Sequence, residues 1–241
     1  MFDSFSRREF LTADVAAGTA LRLSKRATAA SQDGGSGSSE KLKLGVIGVA
    51  ARGGANLDGV SGEDIVVLCD IDEQRLAGAA ARFPKAQTCN DFRRVFDLDD
   101  LDGVVVSTPD HMHAIPVAEA LRRGWAVYCE KPLTHSLYEA RLLQNLTADN
   151  ECITQMGNQI HAGSNYRRVV EMIQAGVIGP VERVHIWLGA SDTFHDVPSE
   201  VPNAVNYDRW IGPAPYRPFN RDHYHFNWRY WWDFGGGNLT D

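Results

Sequence analysis

The chain has 241 residues, 44% of them hydrophobic and 23% charged, with a formal net charge of -7 at pH 7. That composition suits a soluble globular protein with one full domain and part of a second. The acidic balance and the lack of any long Lys/Arg run argue against nucleic-acid and anionic-membrane binding, and no stretch approaches the ~20 apolar residues of a bilayer span.

The first 40 residues stand apart. Ser6-Arg7-Arg8-Glu9-Phe10-Leu11 matches the twin-arginine export motif, and Ala27-Thr28-Ala29 offers a small-x-small cleavage site. Asp14, Arg22, Lys25 and Arg26 interrupt the apolar run that should lie between them. Export to the periplasm or the medium is the expectation, and an uncleaved tail in the cytoplasm is the alternative. Residues 31–40, rich in Gly and Ser, read as a flexible linker.

From Lys41 onward, short β-branched runs alternate with helical patterns, the signature of βαβ units around a parallel sheet. Residues 42–47 and 65–69 read as the first two strands, with Asp72 as the N-cap of a helix carrying Leu76, Ala80 and Phe83 on one face. Strands follow at 103–107 and 126–129, separated by a helix bracketed by Pro116 and Gly124. Ser136 and Glu139 form a capping box for the next helix, and residues 152–156 make another strand. Tyr166, Val169 or Val170, and Ile173 give a helical stripe ending at Gly176. Period-two alternation at 181–188 announces a second sheet, and residues 191–234 are rich in proline and aromatics. The expected organisation is thus a leader at 1–40, a doubly wound α/β Rossmann domain at 41–158, and the start of an α+β substrate and oligomerisation domain at 159–241. The chain stops at Asp241 with no strand after it, so that second domain is expected to be incomplete.

Cys69, Cys89, Cys129 and Cys152 lack zinc-ligand spacing and read as free thiols acting as small hydrophobes. Cys69 and Cys129 fall on strands that a doubly wound sheet would not place side by side.

The strand at 42–47 runs directly into Gly48-Val49-Ala50-Ala51-Arg52-Gly53, a Gly-x-Ala-x-x-Gly turn whose backbone N–H groups at a helix start can hold a pyrophosphate. Ala50 replaces the middle glycine, and its methyl group would crowd or slightly displace a bound dinucleotide. Asp70, about 20 residues on at the next strand end, would accept hydrogen bonds from a ribose and repel a 2′-phosphate, favouring NAD over NADP. The plainer alternative makes Asp70 a helix cap, a part that Asp72 fills better.

Gly48 to Gly53, Ser107-Thr108-Pro109, His113 and Glu130-Lys131-Pro132, in this order and spacing, make the chain from Lys41 onward resemble the Gfo/Idh/MocA oxidoreductases, whose relatives act mainly on sugars and cyclitols. Met156-Gly157-Asn158-Gln159 and Trp210-Ile211-Gly212-Pro213-Ala214-Pro215 are similar to an exported bacterial subgroup. The resemblance implies an NAD cofactor, a sugar-like substrate, a homo-oligomer, and a second domain with a large, mainly antiparallel open sheet. It places Lys131 beside both nicotinamide and substrate, and Asp241 four residues before the usual acid/base histidine, a position this chain does not contain.

Hydride leaves a carbinol carbon as its hydroxyl loses a proton, so the site needs a base and a cation for the developing alkoxide. Lys131 suits the second role, with Asp241 positioning the substrate; a surface lysine is the alternative. Glu130 either pairs with Lys131 or faces the core edge. His113, after Thr108-Pro109, either meets the nicotinamide ribose or caps a helix. Asn158, Gln159 and His161 lie on the loop after the last Rossmann strand, where substrate hydroxyls would sit, although His161 could equally be an ordinary loop residue. His111-x-His113 and His223-x-His225 lack a third ligand of fixed spacing, so no metal is expected. The aromatic run from Trp228 to Phe234 reads as core, interface or a sugar-stacking surface. A hydride transfer with sugar or cyclitol as donor is the leading expectation. A redox-neutral, NAD-dependent glycoside hydrolase is the alternative suggested by export, and a non-enzymatic nucleotide-binding half is a third.

Overall fold

The structure, a computed structural model, describes residues 40–187 and 195–239. The twin-arginine motif and Asp241 lie outside these residues. Six parallel strands form one sheet in the order β3-β2-β1-β4-β5-β6. They are β1 (Lys43–Ile47), β2 (Asp64–Cys69), β3 (Gln87–Cys89), β4 (Gly103–Val106), β5 (Ala126–Glu130) and β6 (Thr154–Gly157). This is the doubly wound order, and its direction of winding reverses between β1 and β4. β3 was not anticipated, because a three-residue Gln-Thr-Cys strand carries no readable alternation.

Alternation along the central strands decides the layering. Val104 and Val106 point into one core with Val117 and Leu121 of α3 (Ala114–Arg122) and Leu143 of α4 (Leu137–Asp149). Val105 points into the other with Leu57 of α1 (Arg52–Gly59) and Leu76 of α2 (Glu73–Arg82). Leu57, Leu68 and Leu121 are wholly buried, each contributing about 1.5–3 kcal/mol of transfer free energy. Local signals set the helix starts. The Asp72 carboxylate accepts from the N–H groups of Gln74 and Arg75, and Ser136 and Glu139 close a reciprocal capping box.

A third, aromatic core gathers Tyr207, Trp210, Phe219, Tyr224, Trp228 and Phe234, with Ile71 of the Rossmann half packed against it. This segment is tied to the strand ends by an antiparallel bridge between Asp72 and Val205 and by the His111 N–H donating to the Phe234 carbonyl at 3.3 Å. It includes one short helix, α6 (Tyr207–Ile211), capped by Asn206.

The second sheet expected to open at 181–188 does not form within residues 181–187, which are exposed and belong to no strand. Alternation makes a strand only when a neighbour supplies its backbone hydrogen bonds, and none of the described residues does so. The helix before it, α5 (Ser164–Gln174), has the anticipated apolar stripe, yet Tyr166, Val169, Val170 and Ile173 are all more than 40% exposed.

Candidate functional site

A cavity of about 750 Å³ opens at the carboxyl ends of β1, β2, β4 and β5. Its first wall is the glycine turn. Gly48 has φ +85°, and a Cβ there would lie 2.5 Å from the Ser107 carbonyl oxygen; at Gly53 a Cβ would lie 2.1 Å from the Gly48 carbonyl oxygen. The turn is therefore pressed against β4 at the switch point, and α1 is pressed against the turn. Gly48, Ala50, Ala51 and Arg52 line the cavity, and Gly53 lies behind them. Ala51 takes φ 50°, a left-handed conformation costly for a residue with a Cβ. This backbone is the cradle that a dinucleotide pyrophosphate requires at a helix N-terminus.

Asp70 also lines the cavity. One of its carboxylate oxygens accepts from the Val49 N–H and the other from the Asp72 N–H, each at 3.0 Å. Burial raises its pKa, against those two bonds and the charge of Arg75. Each oxygen keeps a further lone pair for a ribose hydroxyl. Capping of α2 falls to Asp72, as its sequence position suggested. Further along this wall, Arg209 donates to the Asn90 carbonyl at 3.1 Å and to the Asn90 side chain at 2.5 Å, and Arg93 makes two bonds to Asp91 at 2.9 and 2.7 Å.

The opposite end is built around Glu130, which is 5% exposed at the end of β5. At this core-edge position its carboxylate serves as a hydrogen-bond hub. Its Oε1 accepts from Arg52 Nε at 3.0 Å, from Asn56 Nδ2 at 2.9 Å, from Gln159 Nε2 at 2.6 Å and from the Tyr128 hydroxyl at 3.3 Å. Burial pushes the carboxyl up, but these donors and the Arg52 charge together hold it below its ordinary value. Gly157 makes room for the cluster, because a Cβ there would lie 2.7 Å from Glu130 Oε1. Of these partners, Tyr128 was readable in principle, since positions 128 and 130 share one face of a strand. Asn56 and Gly157 carried no local signal.

Lys131, Thr108 and Pro109 line the same cavity, and the Lys131–Pro132 peptide is cis. Thr108 Oγ1 is buried without a hydrogen-bond partner. His113 occupies the N-cap position of α3 without a side-chain capping bond and does not line the cavity. Its ring is 0% exposed, with Nδ1 2.7 Å from the Pro132 carbonyl oxygen and Nε2 2.8 Å from that of Thr108. The neutral ring carries one N–H, which donates to one of these two carbonyl groups between the Thr-Pro and Glu-Lys-Pro turns. Of the loop residues, Gln159 lines the cavity, whereas Asn158 and His161 do not. His161 instead stacks on Tyr166 with ring centroids 6.0 Å apart. The aromatic segment supplies a wall that spacing could not place: Trp210, Tyr224, His225, Trp228 and Arg229 face the cavity. Among the described residues no cluster of metal-ligating side chains occurs.

A doubly wound parallel sheet, a glycine turn at its switch point and an acidic residue closing the next strand define a dinucleotide-binding Rossmann domain. The chain belongs to the Gfo/Idh/MocA oxidoreductase family. Its residues 42–158 match that family's NAD-binding Rossmann fold, and residues 174–241 match its C-terminal alpha/beta domain. An inositol 2-dehydrogenase of Rubrobacter xylanophilus is 29% identical over 186 residues, 73% of this chain and 53% of that protein. The chain thus spans about half the length of the curated relatives it matches. GenD2 from gentamicin A biosynthesis, solved in complex with NAD, superposes with a TM-score of 0.53 at 25% identity, over 57% of this chain and 40% of that one. The myo-inositol 2-dehydrogenase of Lactobacillus plantarum has a TM-score of 0.54 at 22% identity, over 58% and 42% of the two chains, a likeness of fold.

Proposed function

We propose that this chain serves an NAD-dependent oxidoreductase that takes a hydride from a hydroxyl-bearing carbon of a sugar or cyclitol. The observation that carries the reading is the placement of Lys131 on the same cavity as the glycine turn and Asp70. Bound NAD supplies the hydride acceptor. Within the turn from Gly48 to Gly53, whose first two N–H groups go to the Cys69 carbonyl and Asp70, the later N–H groups would hold the pyrophosphate, and Asp70 takes the adenosine ribose and disfavours a 2′-phosphate. Lys131 would stand beside the carbinol oxygen, where a fixed cation stabilises the negative charge that develops as the proton passes to solvent. Glu130 fixes the approach of Arg52 and Gln159, and Gln159 presents the substrate loop to the cavity. Asp241 is assigned to substrate positioning. The relatives named inositol 2-dehydrogenase support a cyclitol as donor.

The test is a titration with NAD and NADP, followed by turnover on inositols and aldoses. NAD should bind more tightly than NADP, and Lys131→Ala should lower kcat about 10²–10³-fold while NAD affinity stays within a few-fold. Absence of NAD binding, or full turnover in Lys131→Ala, would sink the assignment; tighter NADP binding would remove the part given to Asp70.

Export by the twin-arginine route is proposed with it, supported by Ser6-Arg7-Arg8-Glu9-Phe10-Leu11. Replacing Arg7 and Arg8 with lysine should hold the protein inside the cell at full length, and unchanged localisation would contradict the proposal.

A further inference from the structure

Cys69 ends β2 and Cys89 ends β3, and the two are register partners on adjacent parallel strands. Neighbouring strands lie about 4.8 Å apart, and side chains at paired positions leave the same face of the sheet. Both thiols accordingly pack with the core on the α3 and α4 side, and the Cys89 thiol donates to the Leu68 carbonyl at 3.9 Å. Disulfides span Cα separations of about 4.4–6.8 Å, a range that includes the spacing of paired positions on neighbouring strands. Both cysteines are reduced here. The other two thiols have no such neighbour: Cys129 is wholly buried on β5, and Cys152 directs its sulfur at the Leu121 carbonyl, 3.4 Å away.

We propose that Cys69 and Cys89 form a redox site, which two-electron oxidants of the peroxide class convert to a disulfide that distorts the ribose end of the cofactor cavity. Access and reactivity favour the same order of events. Cys89 is half-buried and Cys69 is 2% exposed, so oxidant meets Cys89 first. The contact with Cys69 lowers the Cys89 pKa, while the same contact together with burial raises that of Cys69. The Cys89 thiolate attacks one peroxide oxygen, the O–O bond breaks, and the departing hydroxide takes a proton to become water, leaving a sulfenic acid. The Cys69 sulfur then attacks the Cys89 sulfur; the S–O bond breaks, and the Cys69 proton leaves with the hydroxyl as a second water. Two thiols and one hydrogen peroxide thus yield one disulfide and two waters.

The consequence follows from what adjoins each thiol. Asp70 follows Cys69, Asn90 and Asp91 follow Cys89, and all three line the cavity. The Asp70 N–H also donates to the Cys89 carbonyl at 3.2 Å. Closing the sulfurs to about 2.05 Å takes the Cys89 thiol off the Leu68 carbonyl and locks the two strand ends to one another, and to that constraint we assign a shift of the adjoining Asp70 carboxylate off its bond to the Val49 N–H. Dinucleotide affinity falls on oxidation, and by reciprocity bound dinucleotide opposes oxidation. This coupling rests on the proposed function, whereas the cross-link does not.

The test treats the reduced chain with hydrogen peroxide and reads intact mass, thiol titre and NAD affinity. The expected result is a loss of about 2 Da, a fall from four titratable thiols to two, and a link between the tryptic peptides that end at Arg75 and Arg93. NAD should then bind about 10-fold more weakly, with recovery in dithiothreitol, and Cys89→Ser should keep its NAD affinity through the same treatment. Cys89 stopping at sulfinic acid, or a link through Cys129 or Cys152, would overturn the redox site. A Cys69–Cys89 link with unchanged NAD affinity would overturn its coupling to the cavity. A linked pair in a chain whose reduced form binds no NAD would uphold the site and remove the functional reading instead.

Discussion

Gly53→Ala should abolish dinucleotide binding and destabilise the fold by about 3 kcal/mol or more, the upper range for forcing a methyl group into a filled space. The added Cβ would stand 2.1 Å from the carbonyl oxygen of Gly48 and 2.7 Å from its carbonyl carbon, and backbone cannot step aside as a flexible side chain can. Gly48 has no room of its own, since its N–H donates to the Cys69 carbonyl at 2.8 Å and its Cα faces the Ser107 carbonyl. Relief requires the whole turn to lift off β4, which destroys the cradle. Gly54→Ala is the matched control. Its Cβ would meet only the Val49 carbonyl oxygen, at 3.4 Å, and alanine in a helix is favoured over glycine by about 0.5–1 kcal/mol. Urea denaturation with NAD titration separates the two variants. A Gly53→Ala protein within 0.5 kcal/mol of wild type that still binds NAD would show that the turn is not packed as described.

Acid should loosen the aromatic segment through His111. This side chain is 2% exposed, has Nε2 2.9 Å from the Trp210 carbonyl oxygen, and packs its ring on Trp210 and Phe234. Nε2–H donates to that carbonyl, and Nδ1 is buried with no partner. Burial pushes the pKa down from 6.5 to about 4, outweighing the carbonyl groups of Trp210 and Phe234. The folded state therefore resists a proton that the unfolded chain accepts. The contribution is intact above pH 6.5, is lost as pH falls from 6.5 to about 4, and amounts to roughly 3 kcal/mol over that span. His111→Leu should be less stable at pH 7, where the Trp210 carbonyl loses its donor, yet show a flatter decline into acid. Urea midpoints measured from pH 7.5 to 4 read both effects. Parallel slopes for the two proteins would exclude His111 as a source of acid sensitivity, because His113, His223 and His225, whose pKa values burial also lowers, are present in both.

Local chemistry was legible in the sequence, and long-range chemistry was not. The β-branched runs of β1, β2 and β4, the Asp72 cap and the Ser136/Glu139 box each rest on residues within a few positions of one another, and the structure has them all. Glu130 is the opposite case. Arg52, Asn56 and Gln159 reach it across 78, 74 and 29 positions, and only the closed sheet brings them together. His113 shows a subtler limit, since its proximity to Thr108-Pro109 was readable but the inward turn of its ring was not. The aromatic run divides within itself: Trp228 and Phe234 are buried in the third core, whereas Trp232 is 83% exposed. Hydrophobicity alone does not distinguish these positions; the docking of residues 204–234 on the strand ends does.

That docking gives the two walls of the cavity separate origins along the chain. One belongs to the sheet, and the other is held to it by the Asp72–Val205 bridge, the His111 contacts and the Tyr224 hydroxyl 3.5 Å from the Asp72 carboxylate. A molecule that spans both walls binds only the assembled form, so it acts as an adhesive between them. At a hundredfold excess over its Kd it adds about 2.7 kcal/mol to the closure of the two walls. A ligand confined to the sheet wall would leave that closure unchanged, so protection of the aromatic wall from proteases would report whether a ligand reaches both.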